Sequence, residues 1–451
     1  MPQPVGPPTS LRANRRQALK LTAGLFAAPA FVPRLISAAP SERVRHASFG
    51  AGGMANADLS AIAEHKDVQL VAVADVDLKR AEELKKRFPE IKVYKDYRVL
   101  LAELGEKELD SVNVSTPDHM HAPIAADAMA RGLAVYGQKP LTHDIFESRR
   151  LREIADQKKL VTQMGIQVHS AEAYKTAVAW VQDGVIGKIK EVHTWSSKKW
   201  GDPAPQPNRT DVPPESLDWG LWLGVCQDRP YIGEGYYHPG NWRKRLDFGT
   251  GTFGDMGCHI YDPVFKALDL TAPVSVTYDG NPPNATNWAN DAQVLYVFPG
   301  TKVTDGKTVN VTWYDGDRRP PESVLKAIAP NPLPDQGSVF FGTTGIMILP
   351  HVGLPIIVGE DPEATKKREK AAGKNHWFEF VDAVKGKGST STPFSYSGPL
   401  TESILLGGVA SRFPGTKLDW YAEAMRFPEV PQADRYVRKA YRPGWEIPGL
   451  G

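Results

Sequence analysis

The sequence predicts an α/β protein with two folded domains: a doubly wound parallel sheet first, then an α+β domain on a large, mainly antiparallel open sheet. Three observations predict it. Short apolar strands alternate with helical stretches from Val44 to about residue 161, a rhythm that makes a parallel sheet with crossover helices. Gly50, Gly52 and Ala55 follow the first strand in a G-x-G-x-x-A pattern. Beyond about residue 160 the strands lengthen and the loops fill with Pro, Trp and Asn, as in GDPAPQPNRTDVPP. With 451 residues, 41% hydrophobic and 24% charged, the chain can bury a sizeable core in each domain.

The elements follow in order. Residues 1–39 carry Arg12, Arg15, Arg16, Lys20 and Arg34 without an acid, then the apolar run LTAGLFAAPAFVP and a small-residue patch at Ser37, Ala38 and Ala39. A basic start, a short apolar stretch and a cleavage-like site make an export signal. The paired arginines of NRRQALK point to the twin-arginine route and hence to a periplasmic or other extracytoplasmic protein, although Ala18 stands where such signals usually carry a larger apolar residue. Pro29 and Pro33 break the run, which falls short of the roughly 20 apolar residues needed for stable membrane insertion. Without the signal's five positive charges the formal net charge falls from +2 to about −3. No basic stripe with interleaved aromatics remains to suit nucleic acid. Two cysteines, Cys226 and Cys258, cannot make a disulfide framework.

Residues 40–161 form the first domain, with strands in VRHASFG, VQLVAVADVD, DSVNVSTP and LAVYGQKP and a helix in IAADAMARG stopped by Gly132. The glycine pattern after a strand and before a helix is the dinucleotide fingerprint of a Rossmann domain. Gly50 permits the tight turn, Gly52 lets the backbone approach a pyrophosphate, Ala55 keeps helix and strand close, and the helix start offers amides to phosphate. Asp75 ends the next strand, where a carboxylate accepts ribose hydroxyls and repels a 2′-phosphate, which favours NAD over NADP. Residues 162–451 form the second domain, with long strands in KIKEVHTWSSKKW and VLYVFPG.

GAGGMA, VADVD, STPDHMHAPIAADAMARG, QKP and DMGCH, in this order, resemble the Gfo/Idh/MocA oxidoreductase family from about Val44 to the C-terminus. TQMGIQVHS, LDWGLWLG and YHPGNWR extend the resemblance to its exported members. The resemblance implies NAD held by Gly50, Ala51, Gly52, Gly53, Met54, Asp75, Ser115, Thr116, Pro117, His121, Gln138, Lys139 and Gln167. It also implies homo-oligomers formed through the second-domain sheet. The family places a lysine beside the nicotinamide and a D-x-x-x-H pair on a helix of the second domain, and Lys139, Asp255 and His259 match those positions. In those roles His259 moves the hydroxyl proton, Lys139 polarises the oxygen, and Asp255 contacts substrate or orients the histidine; Lys139 as the base stays open. Gln138 departs from the family's usual glutamate.

Asp255, Cys258, His259 and Asp262 would share one helix face. A cysteine among hard carboxylates suits no single metal well, so no metal is expected, and Cys258 and Asp262 are read as packing and support. GTGTFGD is an unfavourable helix interior, so Asp255 as a helix cap is the bland alternative. Gln163, His169, Tyr174, Tyr237, Trp242, Arg243 and Arg245 form the expected substrate wall, aromatic faces and hydrogen-bonding groups that suit a carbohydrate. The expected activity is NAD-dependent oxidation of a secondary hydroxyl on a sugar, polyol or glycoside. No free NAD pool exists outside the cytoplasm, so the cofactor would be held tightly and recycled within each reaction. A redox-neutral glycosidase and a catalytically silent NAD-bound binding protein stay open as alternatives.

Overall fold

The computed structural model describes residues 43–450, so the expected signal at 1–39 lies outside the described residues. The first sheet holds six strands: β1 (Val44–Phe49), β2 (Val68–Ala74), β3 (Lys92–Tyr94), β4 (Ser111–Val114), β5 (Ala134–Gly137) and β6 (Thr162–Met164). They run parallel in the order β3-β2-β1-β4-β5-β6. Strand order reverses between β1 and β4, which opens a crevice at their carboxyl ends, where such sheets bind nucleotides. β6 follows residue 161 yet pairs with β5, because the change in sequence texture precedes the last strand of this sheet.

The interior of this sheet is not wholly apolar. His46 is fully buried in β1, with Nδ1 2.8 Å from Ser111 Oγ and Nε2 3.0 Å from Asn113 Oδ1, both on β4. Burial, against the Asn113 contact, lowers the His46 pKa to about 4, so the ring is neutral and both its nitrogens are satisfied across the strands.

The second sheet holds β7 (Ile189–Ser196), β8 (Ser275–Asp279), β9 (Gln293–Pro299), β10 (Thr308–Asp315), β11 (Gly337–Gly342), β12 (Ile346–Pro350), β13 (Ile356–Ile357) and β14 (Lys417–Asp419). Its order is β13-β12-β11-β7-β10-β9-β8-β14, and every neighbouring pair is antiparallel except β7 with β10. The mainly antiparallel open sheet of the sequence reading is present. No helix among the described residues is long and apolar enough to cross a membrane.

The glycine-rich stretch before DMGCH is helical after all: one helix runs Gly251–Ile260, so Asp255 lies inside it and does not cap it. Packing overrides the poor propensity. Phe253 stacks on buried Trp313 with ring centroids 4.6 Å apart, which lays the helix on the sheet. The helix Phe394–Ala410 crosses close by, and a Cβ at its Gly407 would lie 2.8 Å from the Phe253 ring. Only a glycine permits that approach.

Phe394–Ala410 also packs against Ile145–Lys158 of the first domain. Arg149 grips Glu402 bidentately at 2.8 and 2.7 Å, with the Glu402 side chain only 7% exposed. Replacing Arg149 by Met strands a buried carboxylate, a loss of about 3–5 kcal/mol. A lowered denaturant midpoint is expected, and a Glu402→Gln, Arg149→Met double variant should recover part of it.

Candidate active site

The nucleotide end is built by the first βα turn. Gly50 has φ of 100°, and a Cβ there would lie 2.9 Å from both the Ala55 Cβ and the Ser115 carbonyl. At Gly52 a side chain would displace the Arg80 guanidinium. The helix Met54–Ala63 starts with no side-chain cap, and its Ala55 amide turns back to the Gly52 carbonyl at 3.1 Å. Asp75 follows β2 and accepts from the Ala51 amide and the Asp77 amide, both at 2.8 Å. Thr116 Oγ1 and Gln167 Nε2, both in the cleft lining, are buried without partners. A glycine cradle and orphaned polar atoms at a strand-order reversal fit a dinucleotide.

The catalytic end faces it. Lys139, just after β5, donates to Asp255 Oδ1 at 2.5 Å and to the Asp255 carbonyl at 3.1 Å. An ammonium has three donors, so one remains for a substrate oxygen. Arg243 Nε stands 3.3 Å from the same Oδ1, with its guanidinium over Trp242 and Trp200. Burial pushes the Asp255 carboxyl up, but Lys139 and Arg243 outweigh it and hold it well below the usual carboxylate range. His259, one turn on, is lowered to about 3 by burial and by the Lys139 charge, against the pull of Asp255. It is therefore neutral near pH 7. Its Nδ1 is buried without a partner, and as a neutral imidazole it has one ring nitrogen free to accept a proton.

These groups share one cleft of about 640 Å³. It brings together Gly50, Gly52, Gly53, Met54, Asp75, Ser115, Thr116, Pro117, His121, Gln138, Lys139, Gln167, Trp242, Arg243, Asp255 and His259; Ala51 joins through its amide. Gln138 sits on a buried carboxylate: its Nε2 donates to Asp58 Oδ2 at 2.9 Å, and its Oε1 accepts the Lys139 amide at 3.0 Å. Asp58 also takes Ser115 Oγ, Trp377 Nε1 and Tyr136 Oη. Burial raises the Asp58 carboxyl against all four of these donors.

Five expected wall residues do not line the cleft. Gln163 is buried on β6 and donates to the His376 carbonyl at 2.7 Å. His169 and Tyr174 turn to Asp262, at 2.8 Å from its carboxylate and 3.2 Å from its carbonyl. Tyr237 packs among Trp219, Trp222 and Phe248. Arg245 ties a loop through Asp202 at 2.9 Å and Asn287 at 2.7 Å. The polar groups of His169, Tyr174 and Arg245 are spent on neighbouring chain, whereas Gln163 Oε1 and the Tyr237 hydroxyl are buried without partners. Asp262 opens the next helix, and Cys258 is fully buried, so the four residues that share a face in sequence do not converge. Among the described residues no group of three or more His, Cys, Asp or Glu is placed to hold a metal ion.

Sequence reasoning missed several lining residues: Arg80, Asp118, Lys198, Trp200, His351 and Trp445. Lys198 and Trp200 were findable, because SSKKW follows a long strand toward its carboxyl end. His351 lies just past β12 with its ring 6.0 Å from that of His259, and nothing local in sequence marks it.

The fold and the cleft are those of a two-domain, nucleotide-binding protein. Residues 44–166 match a family profile described as an oxidoreductase family, NAD-binding Rossmann fold, and residues 172–316 match its C-terminal alpha/beta domain. The chain belongs to the Gfo/Idh/MocA oxidoreductase family. Among curated relatives, the rhizopine catabolism protein MocA of Rhizobium meliloti is 31% identical over 166 residues, 37% of this chain and 50% of that protein. Levoglucosan dehydrogenase of Pseudarthrobacter phenanthrenivorans is 22% identical over 190 residues, 42% of this chain and 40% of that protein. The alignments span about half the length of the curated relatives matched. The WlbA dehydrogenase of Bordetella pertussis, solved with NADH and UDP-GlcNAcA, shares the fold at TM-score 0.61 and 13% identity, over 84% of this chain and 99% of that one.

Burial, opposed by the Asp77 and Ala51 amides and the Arg80 charge, pushes the Asp75 carboxyl up to about 6. Ribose hydroxyls donate to the ionised form, so binding favours loss of that proton. Nucleotide affinity should therefore weaken as pH falls below about 6, by up to roughly tenfold per pH unit. Titration calorimetry from pH 5 to 8 reads this, and Asp75→Asn should flatten the profile.

Proposed function

We propose that this protein is an NAD-dependent oxidoreductase acting on a secondary hydroxyl of a sugar, polyol or glycoside. The observation that carries the reading is the Lys139–Asp255–His259 group set across the cleft from the glycine cradle. A bound nicotinamide would supply the hydride acceptor. Lys139 directs its remaining N–H at the substrate oxygen and lowers the cost of negative charge there. His259, kept neutral by burial and the Lys139 charge, takes the hydroxyl proton. Asp255 holds Lys139 and Arg243 in place, and Trp200 and Trp242 offer aromatic faces to a sugar ring. Asp75 supports NAD over NADP, because a 2′-phosphate would meet its carboxylate; the adjacent Arg80 makes this preference one to measure.

The basic, apolar N-terminal stretch supports twin-arginine export with the nucleotide already aboard, which calls for a cofactor that is retained and recycled. Protein purified without added nucleotide should release NAD on denaturation, detected by mass spectrometry; release of none would sink the retained-cofactor reading. Incubated with free sugars and aryl glycosides, it should yield a keto sugar or lactone together with a reduced second sugar. His259→Asn should lower turnover by about 10²–10⁴, and Lys139→Met should lower it with intact nucleotide content.

A second reading, redox-neutral glycoside cleavage through transient oxidation, draws on His351. A second imidazole 6.0 Å from the first offers another proton acceptor, as elimination requires. Aglycone release with no net redox change in the same incubation would favour it.

Homo-oligomerisation rests on the second sheet, where alternate residues Leu295 and Val297 of β9 remain half-exposed while Val294, Tyr296 and Phe298 are buried. Light scattering of the purified protein should give a dimer or larger, and a monomer at micromolar concentration would remove this proposal.

A further inference from the structure

The C-terminal segment reaches the nucleotide cleft from outside the parallel sheet. Trp445 lines the same cavity as Asp75, Lys95, Asp96 and Tyr97. Those residues lie at the carboxyl ends of β2 and β3, the half of a doubly wound sheet that takes the adenosine of a dinucleotide. Two guanidiniums stand near the indole, Arg98 4.1 Å and Arg442 5.2 Å from its ring centroid.

The approach to Trp445 is firmly anchored. Lys439 Nζ stands 2.9 Å from Glu147 Oε1, and the Tyr441 hydroxyl donates to the same oxygen at 2.7 Å. Glu147 is 1% exposed. Its own carboxylate closes the capping box of the helix Ile145–Lys158 with Asp144, so the anchor is part of the first domain's framework. The Arg442 amide donates to the Val225 carbonyl and its guanidinium to the Gly220 carbonyl, both at 2.8 Å, which ties the segment to the second domain as well. Beyond these anchors Pro443 and Gly444 are exposed, and the Trp445 amide turns back to the Arg442 carbonyl at 3.0 Å. Trp445 packs partly buried against the core and Leu450 beyond it is 1% exposed, so the ring sits at the cleft between two fixed ends, the form of a clasp.

We propose that residues 439–446 form a strap over the adenosine half of the nucleotide site, with Trp445 as the ring that meets the adenine. The inference rests on the nucleotide reading above and adds what retains the ligand. A purine stacked on an indole that two cations already orient leaves slowly, and the rest of the dinucleotide leaves with it.

The test uses the full-length protein, stripped of nucleotide and reloaded. Trp445→Ala should release NADH about tenfold or more faster than wild type by stopped-flow fluorescence, whereas Trp445→Phe, which keeps an aromatic face, should stay within about threefold. ADP-ribose affinity should fall in Trp445→Ala while nicotinamide mononucleotide affinity holds, a split that general loosening of the fold would not produce. Unchanged release in Trp445→Ala, or equal loss of both half-ligands, overturns the strap alone. Wild-type protein that binds neither NADH nor ADP-ribose overturns the nucleotide reading and the strap with it.

Discussion

The contact between Lys139 and Asp255 joins the end of a parallel-sheet strand to the middle of a second-domain helix. Two charges buried in one cleft are tolerable only because each answers the other, and Arg243 shares the same carboxylate oxygen. The pair fixes more than itself. One helical turn beyond Asp255, His259 comes to face the same cleft, and the ammonium that Asp255 holds nearby helps keep that imidazole uncharged. The electrostatics of the proton acceptor are thus set by an ion pair that spans the domains.

A second buried carboxylate organises the opposite side. Asp58 collects hydrogen bonds from Ser115, Tyr136, Gln138 and Trp377, residues drawn from three separate stretches of chain. With Asp58 beneath it, an amide at position 138 is the complementary partner, donating downward while its oxygen accepts the Lys139 amide. A carboxylate at 138 would meet Asp58 at contact distance. The departure from the family's usual residue is therefore matched by its surroundings.

The glycine fingerprint, Asp75 and the paired Asp255 and His259 were legible in sequence because their geometry is local: a turn after a strand, a strand end, one turn of helix. The alternation of strands gave the first sheet, and the longer strands gave the second. Trp242 and Arg243 line the cleft while Arg245 and Tyr237 do not, and sequence alone could not tell the two pairs apart. An aromatic or cationic side chain in a loop reads alike whether it faces a cleft or ties that loop down, and only its partners decide. Asp58, His351 and Trp445 were out of reach because each enters through tertiary packing. The glycine-rich start of the Gly251–Ile260 helix misled in the opposite direction: a Cβ at Gly249 would lie 2.5 Å from the Arg243 backbone and one at Gly251 3.0 Å from the Trp288 ring, so packing rewards residues that helix propensity penalises.

The nucleotide cleft draws its lining from Gly50 near one end of the described chain and from Trp445 near the other. Its two margins are separated by nearly the whole polypeptide, so the ribosome finishes the floor of the site long before it makes the cover. During synthesis the cradle forms first, and Trp445 docks only after Lys439 and Tyr441 have reached Glu147 of the first domain. The two margins of the cleft are thereby made in a fixed temporal order, the glycine cradle well before the segment that carries Trp445.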